Sequence, residues 1–273
     1  MRVLVKIGGA QLDDPTSRSV FAKAVANAKA CRHEVILVHG GGAQLGRLGA
    51  RLGLETVRWQ GLRITDASTA EAALMVLAGS VNRELVRSLG NACVPSVGLS
   101  GADAFTFKTR AFPCPEGINL GHVGEVDDVD PGLIEHLLSG GFTPVVATVG
   151  PRRDTDEAAP FDNVNADDAV AALGSALAVD AVLFLTDVPG VRGADGMTLD
   201  QLDALEASEL EASGVIAGGM CPKVRSGLEA ARRLPGALVR IAPAAGDNAV
   251  LAALEPGIGT QFLHTPATER HHA

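Results

Sequence analysis

Apolar positions in this chain fall into short, nearly unbroken runs, separated by segments with the spacing of helices. "RVLVKI" at residues 2–7, "EVILVHG" at 34–40, "VPSVGLSG" at 94–101 and "FTPVVATVG" at 142–150 read as strands. So do "AVLFLTDVPGV" at 181–191, "ALVRIAP" at 237–243 and the short "GTQFL" at 259–263. Helices are expected over residues 16–32, 43–53, 66–90, 131–141, 165–178, 222–234 and 247–254. "AFTFKTR" and "GHVGEVDDV" look like a hairpin with an irregular connection. Strands that are apolar throughout must be covered on both faces, so the pattern predicts an α/β fold with a mainly parallel sheet between helical layers. Sheets of this kind bind ligands beyond the carboxyl ends of their strands, which directs attention to the loops that follow strands.

Two helix starts carry local signals. Ser68 and Glu71 have the spacing of a capping box for the helix at 66–90, and Asn165 suits the N-cap of the next long helix. The most polar irregular stretch, "GPRRDTDEAAPFD" at 150–162, comes just before Asn165. A lobe boundary is placed there, with residues 1–165 in an N-terminal lobe and 166–273 in a C-terminal lobe.

Composition narrows the partners. The 273 residues are 47% hydrophobic, enough for one large α/β domain or two lobes. Aromatic residues make up only 3% and tyrosine is absent, so packing must rely on Ala, Val and Leu. A formal net charge of -9 speaks against nucleic acid or an anionic membrane as partner. It leaves room for a small anionic substrate in a locally positive cleft. Cys31, Cys93, Cys114 and Cys221 form no CxxC pair, which fits a reducing cytoplasm and core or loop roles. No apolar run approaches the ~20 residues of a membrane span, and the chain is expected to be cytoplasmic.

The candidate chemistry lies at strand ends. "KIGG" and "VHGGGAQLG" each join a strand to a helix through glycines, where bare backbone N–H groups suit an anion. Neither is a Walker A loop. A tight turn would explain one such loop; two, one carrying Lys6, favour phosphate chemistry. Lys223 stands just inside a helix start, where a cation opposes the helix dipole unless an anion binds nearby; a solvated helix residue is the less favoured alternative. In "NVNADD", capping accounts for Asn165 and one of Asp167 and Asp168, but not for Asn163 as well. Arg63, in a turn-like segment, suits either bidentate binding of a carboxylate or a surface ion pair. The seven histidines show no metal spacing, and none is given a catalytic role.

The ordered set "KIGG", "VHGGG", "GLRITD", "GLSGAD", "GHVGEV", "NVNAD", "LTDVPGV" and "GGMCPKV", from residue 6 to residue 224, resembles the N-acetylglutamate kinases of the amino-acid kinase superfamily. The resemblance implies an αβα sandwich with a central, mainly parallel, eight-stranded sheet. It assigns acyl-amino-acid binding and dimerisation to the N-terminal lobe and ATP to the C-terminal lobe. The implied reaction moves a phosphoryl group from ATP to the γ-carboxylate of N-acetyl-L-glutamate, the second step of arginine synthesis. Lys6 and Lys223 are implied to contact the phosphoryl group and the ATP phosphates, with Asp167 orienting both. Gly8, Gly9, Gly41 and Gly42 would supply N–H donors, and Arg63 and Asn163 would hold the acceptor. Thr186, Asp187, Gly219 and Met220 would belong to the nucleotide side, with Mg²⁺ held mostly by phosphates and water.

Departures from the family pattern are Ala43, where proline is common after the triple glycine, and Cys221, where an aliphatic residue is usual. Cys221 would make the enzyme thiol-sensitive. Arginine-inhibited members carry an extra N-terminal helix that links dimers into hexamers; a first strand at residue 2 predicts an arginine-insensitive homodimer. Rival readings are a kinase acting on carrier-linked α-aminoadipate in lysine synthesis, a non-catalytic amino-acid or nucleotide sensor on the same fold, and a dehydrogenase.

Overall fold

The computed structural model describes residues 1–264 except residues 9, 115, 116, 154 and 156–158. Its strands are β1 (Arg2–Ile7), β2 (Glu34–His39), β3 (Arg58–Trp59), β4 (Leu62–Arg63), β5 (Ser96–Leu99), β6 (Phe107–Ala111) and β7 (Val123–Val129). They continue with β8 (Thr143–Ala147), β9 (Val149–Gly150), β10 (Asp162–Val164), β11 (Ala181–Thr186), β12 (Gln201–Leu202), β13 (Leu238–Pro243) and β14 (Thr260–Phe262). The helices are α1 (Ala10–Asp13), α2 (Pro15–Ala30), α3 (Gly42–Arg51), α4 (Ala67–Leu74), α5 (Asn82–Asn91), α6 (Gly132–Ser139), α7 (Ala166–Ala176), α8 (Ala204–Ala212), α9 (Met220–Arg233) and α10 (Ala249–Ala252).

Eight strands form one sheet in the order β12-β14-β13-β11-β1-β2-β8-β5. Every pairing in it is parallel except β13 with β14. The sheet therefore runs unbroken across the expected boundary at residue 165, because β1 pairs with β2 on one side and β11 on the other. Side chains alternate between two buried clusters. Val3, Val5 and Ile7 pack with Phe21 and Val25 of α2 and Leu85 and Leu89 of α5. Leu4 packs on the opposite face with Val170 and Leu173 of α7 and Val224 of α9. The two-residue strand period then puts Lys6 on the Leu4 side, the side of α7 and α9.

Local chemistry differs from the sequence reading in three places. The helix at 67 is capped by Asp66, whose carboxylate accepts from the Thr69 N–H at 2.7 Å, not by a Ser68–Glu71 box. Between α4 and α5 the chain does not break but widens into a π-helical stretch, Met75–Val81. The run at 142–150 is not one strand: β8 ends at Ala147 and β9 leaves for a second sheet, ordered β6-β7-β10-β9. The expected hairpin at 104–129 is present as antiparallel β6 and β7. Helix α8 and strand β12 gave no periodic signal strong enough to be expected.

At the end of β2, His39 is fully buried. Its Nε2 accepts from Asn82 Nδ2 at 2.9 Å, and its Nδ1–H donates to the Gly40 carbonyl at 3.0 Å. Asn82 also donates to the Val145 carbonyl at 2.9 Å, tying α5 to β8. Burial pushes the His39 imidazole from 6.5 down to about 4, the Gly40 bond only partly opposing this. The unfolded chain thus binds a proton that the folded chain refuses, so stability is full above 6.5 and is lost as pH falls toward 4. We expect His39→Gln to flatten that part of the stability curve by up to about 3 kcal/mol. Denaturant unfolding of both proteins from neutral to acid pH measures it; equal slopes would refute it.

Candidate active site

Lys6 ends β1 and Asp167 lies in the first turn of α7, a helix whose N-cap Asn165 accepts from the Asp167 N–H at 3.1 Å. The expected Asn165 cap is thus present, and it sets the rotation at which Asp167 faces the sheet. Asp167 Oδ1 stands 2.7 Å from Lys6 Nζ, and its Oδ2 stands 3.7 Å from Lys223 Nζ in the first turns of α9. Lys6 and Asp167 are only 8% and 7% exposed. Burial alone would raise the Asp167 carboxyl, but the two ammonium charges outweigh it and hold the group below the usual carboxylate range. Burial lowers Lys223, and the Lys6 charge adds to this, while Asp167 and Asp187 oppose it. Two cations around one anion leave an excess positive charge in a poorly hydrated place, a setting made for phosphate oxygens.

Lys6 and Asp167 border a cavity of about 820 Å³; Lys223 does not line it, although its neighbours Cys221 and Pro222 do. Gly8, Gly40, Gly41, Gly42, Arg63, Asn163, Asp167 and Gly219 all line it together with Lys6. The first helical residues of α3 and α7 and the N-cap of α9 meet there, so three helix N-termini with unused N–H groups face one space. Gly41 packs so closely on the π-helical stretch that a Cβ would come 2.6 Å from Leu77 Cδ2. Gly9, expected in the same cradle, lies outside the described residues.

Arg63 reaches the cavity from a hairpin, β3–β4, whose two turn residues Gln60 and Gly61 both have positive φ. It is 8% exposed and donates to Thr56 Oγ1 at 2.8 Å and to the Gly42 carbonyl at 3.2 Å. Among the described residues no carboxylate pairs with it. Burial, then the neighbouring Arg58 charge, lowers its pKa. It is therefore not the surface ion pair allowed by the sequence but a desolvated cation without an anion. Asn163 enters from β10, held by a bond of its N–H to the His122 carbonyl at 2.8 Å.

Thr186, Asp187 and Met220 do not line this cavity. Thr186 ends β11 and donates to Asp187 Oδ1 at 2.9 Å, and Met220 opens α9. Arg58, Thr148, Cys221, Pro222 and Arg225 do line it, and none was singled out from sequence as a wall of the site. Arg58 was legible in principle: in "RWQGLR" it stands opposite Arg63 across a two-residue turn. Among the described residues no group of three or more His, Cys, Asp or Glu is placed to hold a metal, and no helix is long and apolar enough to cross a membrane.

An α/β sandwich with two lysines sharing a buried aspartate beneath glycine turns defines a phosphoryl-transfer fold. The chain belongs to the amino acid kinase family, whose description matches residues 1–242. Among its relatives is the protein named acetylglutamate kinase of Koribacter versatilis, 39% identical over 267 residues, 97% of this chain and 100% of that protein. The acetylglutamate kinase of Solibacter usitatus is 40% identical over 268 residues, 96% of this chain and 99% of that protein. Among solved structures, carbamate kinase from Giardia lamblia bound to AMP-PNP superposes with a TM-score of 0.71 at 17% identity, covering 97% of this chain and 98% of that one, a likeness of fold.

Asp167→Asn should cut kinase turnover by about 100-fold or more, since the ammonium groups lose the charge that aims them. Without that charge Lys223 loses its proton more easily, so the alkaline limb of the residual pH–rate profile should move to lower pH. Steady-state rates across pH measure both; an unmoved alkaline limb would contradict the shared-carboxylate account.

Proposed function

We infer that the chain transfers the γ-phosphoryl group of ATP to the γ-carboxylate of N-acetyl-L-glutamate, giving N-acetyl-L-glutamyl 5-phosphate and ADP, a step of arginine synthesis. The observation that carries this reading is one cavity lined both by a buried Arg63, unpaired among the described residues, and by Lys6 and Asp167, the latter also 3.7 Å from Lys223. That spacing of charge suits an acceptor with two carboxylates, one gripped by a guanidinium and one offered to phosphate. The full-length similarity to proteins named acetylglutamate kinase supports the same acceptor.

The attacking carboxylate is ionised at neutral pH, so the residues need not remove a proton. His39, the histidine nearest the glycine turn, is buried and engaged through both ring nitrogens. Arg63 and Asn163 hold the α-carboxylate and the acetamido group in this reading. Lys6 and Lys223 draw charge off the transferring phosphoryl group, and the N–H groups of Gly8, Gly41 and Gly42 stabilise its oxygens, each by ~3 kcal/mol in the transition state. Gly9 joins them by resemblance. Gly219, Met220, Thr186 and Asp187 would carry the nucleotide, and Lys6 and Lys223 its phosphates. The positive excess of the triad fits a triphosphate, and an Mg²⁺ ion carried by phosphates and water would supply further charge neutralisation.

Residues 1–165 serve the acceptor and the dimer contact in this proposal, and residues 166–273 serve ATP. A homodimer is supported by β5, an edge strand "SVGL" without charge or proline, unpaired on its outer side among the described residues. Four free thiols agree with a cytoplasmic setting.

ADP release should be fast with N-acetylglutamate and slow with glutamate, aspartate and α-aminoadipate; equal or absent turnover with the first would overturn the assignment. Arg63→Ala should raise the acceptor KM about 10-fold or more while leaving the ATP KM near its original value. Light scattering should give twice the chain mass, and a monomer would remove the dimer proposal.

A further inference from the structure

Asp162 is a fully buried carboxylate that the proposed chemistry does not use. It sits beside Asn163 on β10. Arg152 grips it with two prongs, Nε to Oδ2 at 2.9 Å and Nη2 to Oδ1 at 2.7 Å. Thr109 Oγ1 donates a third bond to Oδ2 at 2.7 Å. Gly124 on the paired strand β7 leaves the room: a Cβ there would lie 2.7 Å from Asp162 Cβ and Oδ2. The carboxylate is thus held from three sides of the second sheet.

The same Arg152 Nη2 also donates to the Gly121 carbonyl at 3.2 Å. Gly121 belongs to the segment that joins the two acceptor-side residues. The Thr65 N–H donates to the Leu120 carbonyl at 3.1 Å, and the His122 N–H donates to the Thr65 carbonyl at 2.6 Å. The Asn163 N–H then donates to the His122 carbonyl at 2.8 Å. Thr65 is two residues from Arg63, and its hydroxyl donates to the Arg63 carbonyl at 2.7 Å. A continuous line of hydrogen bonds therefore runs from Arg63 through Thr65, segment 120–122 and Asn163, and Arg152 clamps its middle and its end at once.

We propose that Arg152 and Asp162 are a positioning pair that fixes the distance between Arg63 and Asn163, and so selects the length of the acylated dicarboxylate acceptor. This rests on the acceptor reading above. Neither residue lines the cavity. A lysine at 152 would keep the charge but lose the two-pronged grip. Loss of Arg152 leaves Asp162 buried with only His122 Nδ1, 3.8 Å from Oδ1, as a basic neighbour, which both loosens β10 and lowers stability.

The test compares Arg152→Ala, Arg152→Lys and Thr109→Val with the unaltered enzyme, using N-acetyl-L-glutamate and the one-carbon-shorter N-acetyl-L-aspartate. For Arg152→Ala, the N-acetylglutamate KM should rise about 10-fold, and the kcat/KM preference over N-acetylaspartate should fall by a similar factor. The ATP KM should stay within about twofold. Arg152→Lys should lie between, and Thr109→Val should shift the acceptor KM slightly in the same direction. If Arg152→Ala does not fold, the two milder variants are judged by the same split between acceptor and ATP. A fall in melting temperature with unchanged acceptor KM and unchanged selectivity overturns the proposal, as does an equal rise in both KM values. Normal turnover by the unaltered enzyme beside unmoved variants removes only the pair's role; no turnover by the unaltered enzyme removes the acceptor reading and the proposal together.

Discussion

The candidate active site is organised around one carboxylate shared by two ammonium groups. Asp167 is buried, and a buried carboxylate without partners would be driven toward its neutral form. Lys6 and Lys223 keep it charged, and it keeps them close despite their mutual repulsion. At an effective dielectric constant near 20, each contact at this range is worth about 4 kcal/mol before desolvation is subtracted. The three groups come from β1, α7 and α9, so the ion triad demands that one sheet carry both halves of the chain. It also demands the pleat that places Lys6 on the Leu4 side and the Asn165 cap that starts α7 at the right rotation.

Much of this was legible because strand ends write themselves plainly. A nearly continuous apolar run followed by glycines marks the end of a buried parallel strand, and Lys6, Gly41 and Gly42 could be found in that way. Asn165 was legible as a cap for the same reason that it caps: its side chain competes for the backbone N–H groups of a first turn. The Ser68–Glu71 box failed because the helix starts two residues earlier, where Asp66 takes the N-cap position and accepts from the Thr69 N–H. The second sheet was legible only in its β6–β7 hairpin. Strands of two and three residues, β9 and β10, are too short to show a period, and the bonds that define them join residues far apart in the chain. Asp162 in "FDN" carries no local sign that its partner is Arg152. Thr186, Asp187 and Met220 were selected by resemblance alone, and like Lys223 they do not line the cavity.

Arg63 shows how burial turns a common residue into a binding group. On a surface hairpin an arginine is solvated and its pairing contributes little. Here the hairpin folds its guanidinium under the glycine turn, where it reaches the Gly42 carbonyl. The same contact joins the hairpin to the glycine turn that follows β2. With Arg58 on the facing strand, the hairpin gathers positive charge that no acidic side chain among the described residues cancels at Arg63. A dicarboxylate would supply what the fold withholds.

The two sheets divide the work. The triad stands on the large sheet and the helices packed against it, whereas Arg63 and Asn163 stand on the hairpin and the second sheet. The stretch from Asn163 to Asp167 links the two, as does the step from β8 to β9, and the midpoint of the former is the Asn165 cap. Because that cap is fixed by the start of α7, a tilt of β10 would carry Asn163 with it before it disturbed Asp167. The buried Arg152–Asp162 pair controls that tilt from outside the reaction. In the proposed reading such a fold can alter the acceptor it measures while leaving its phosphate chemistry in place, since Arg63 and Asn163 stand on other elements than the ion triad.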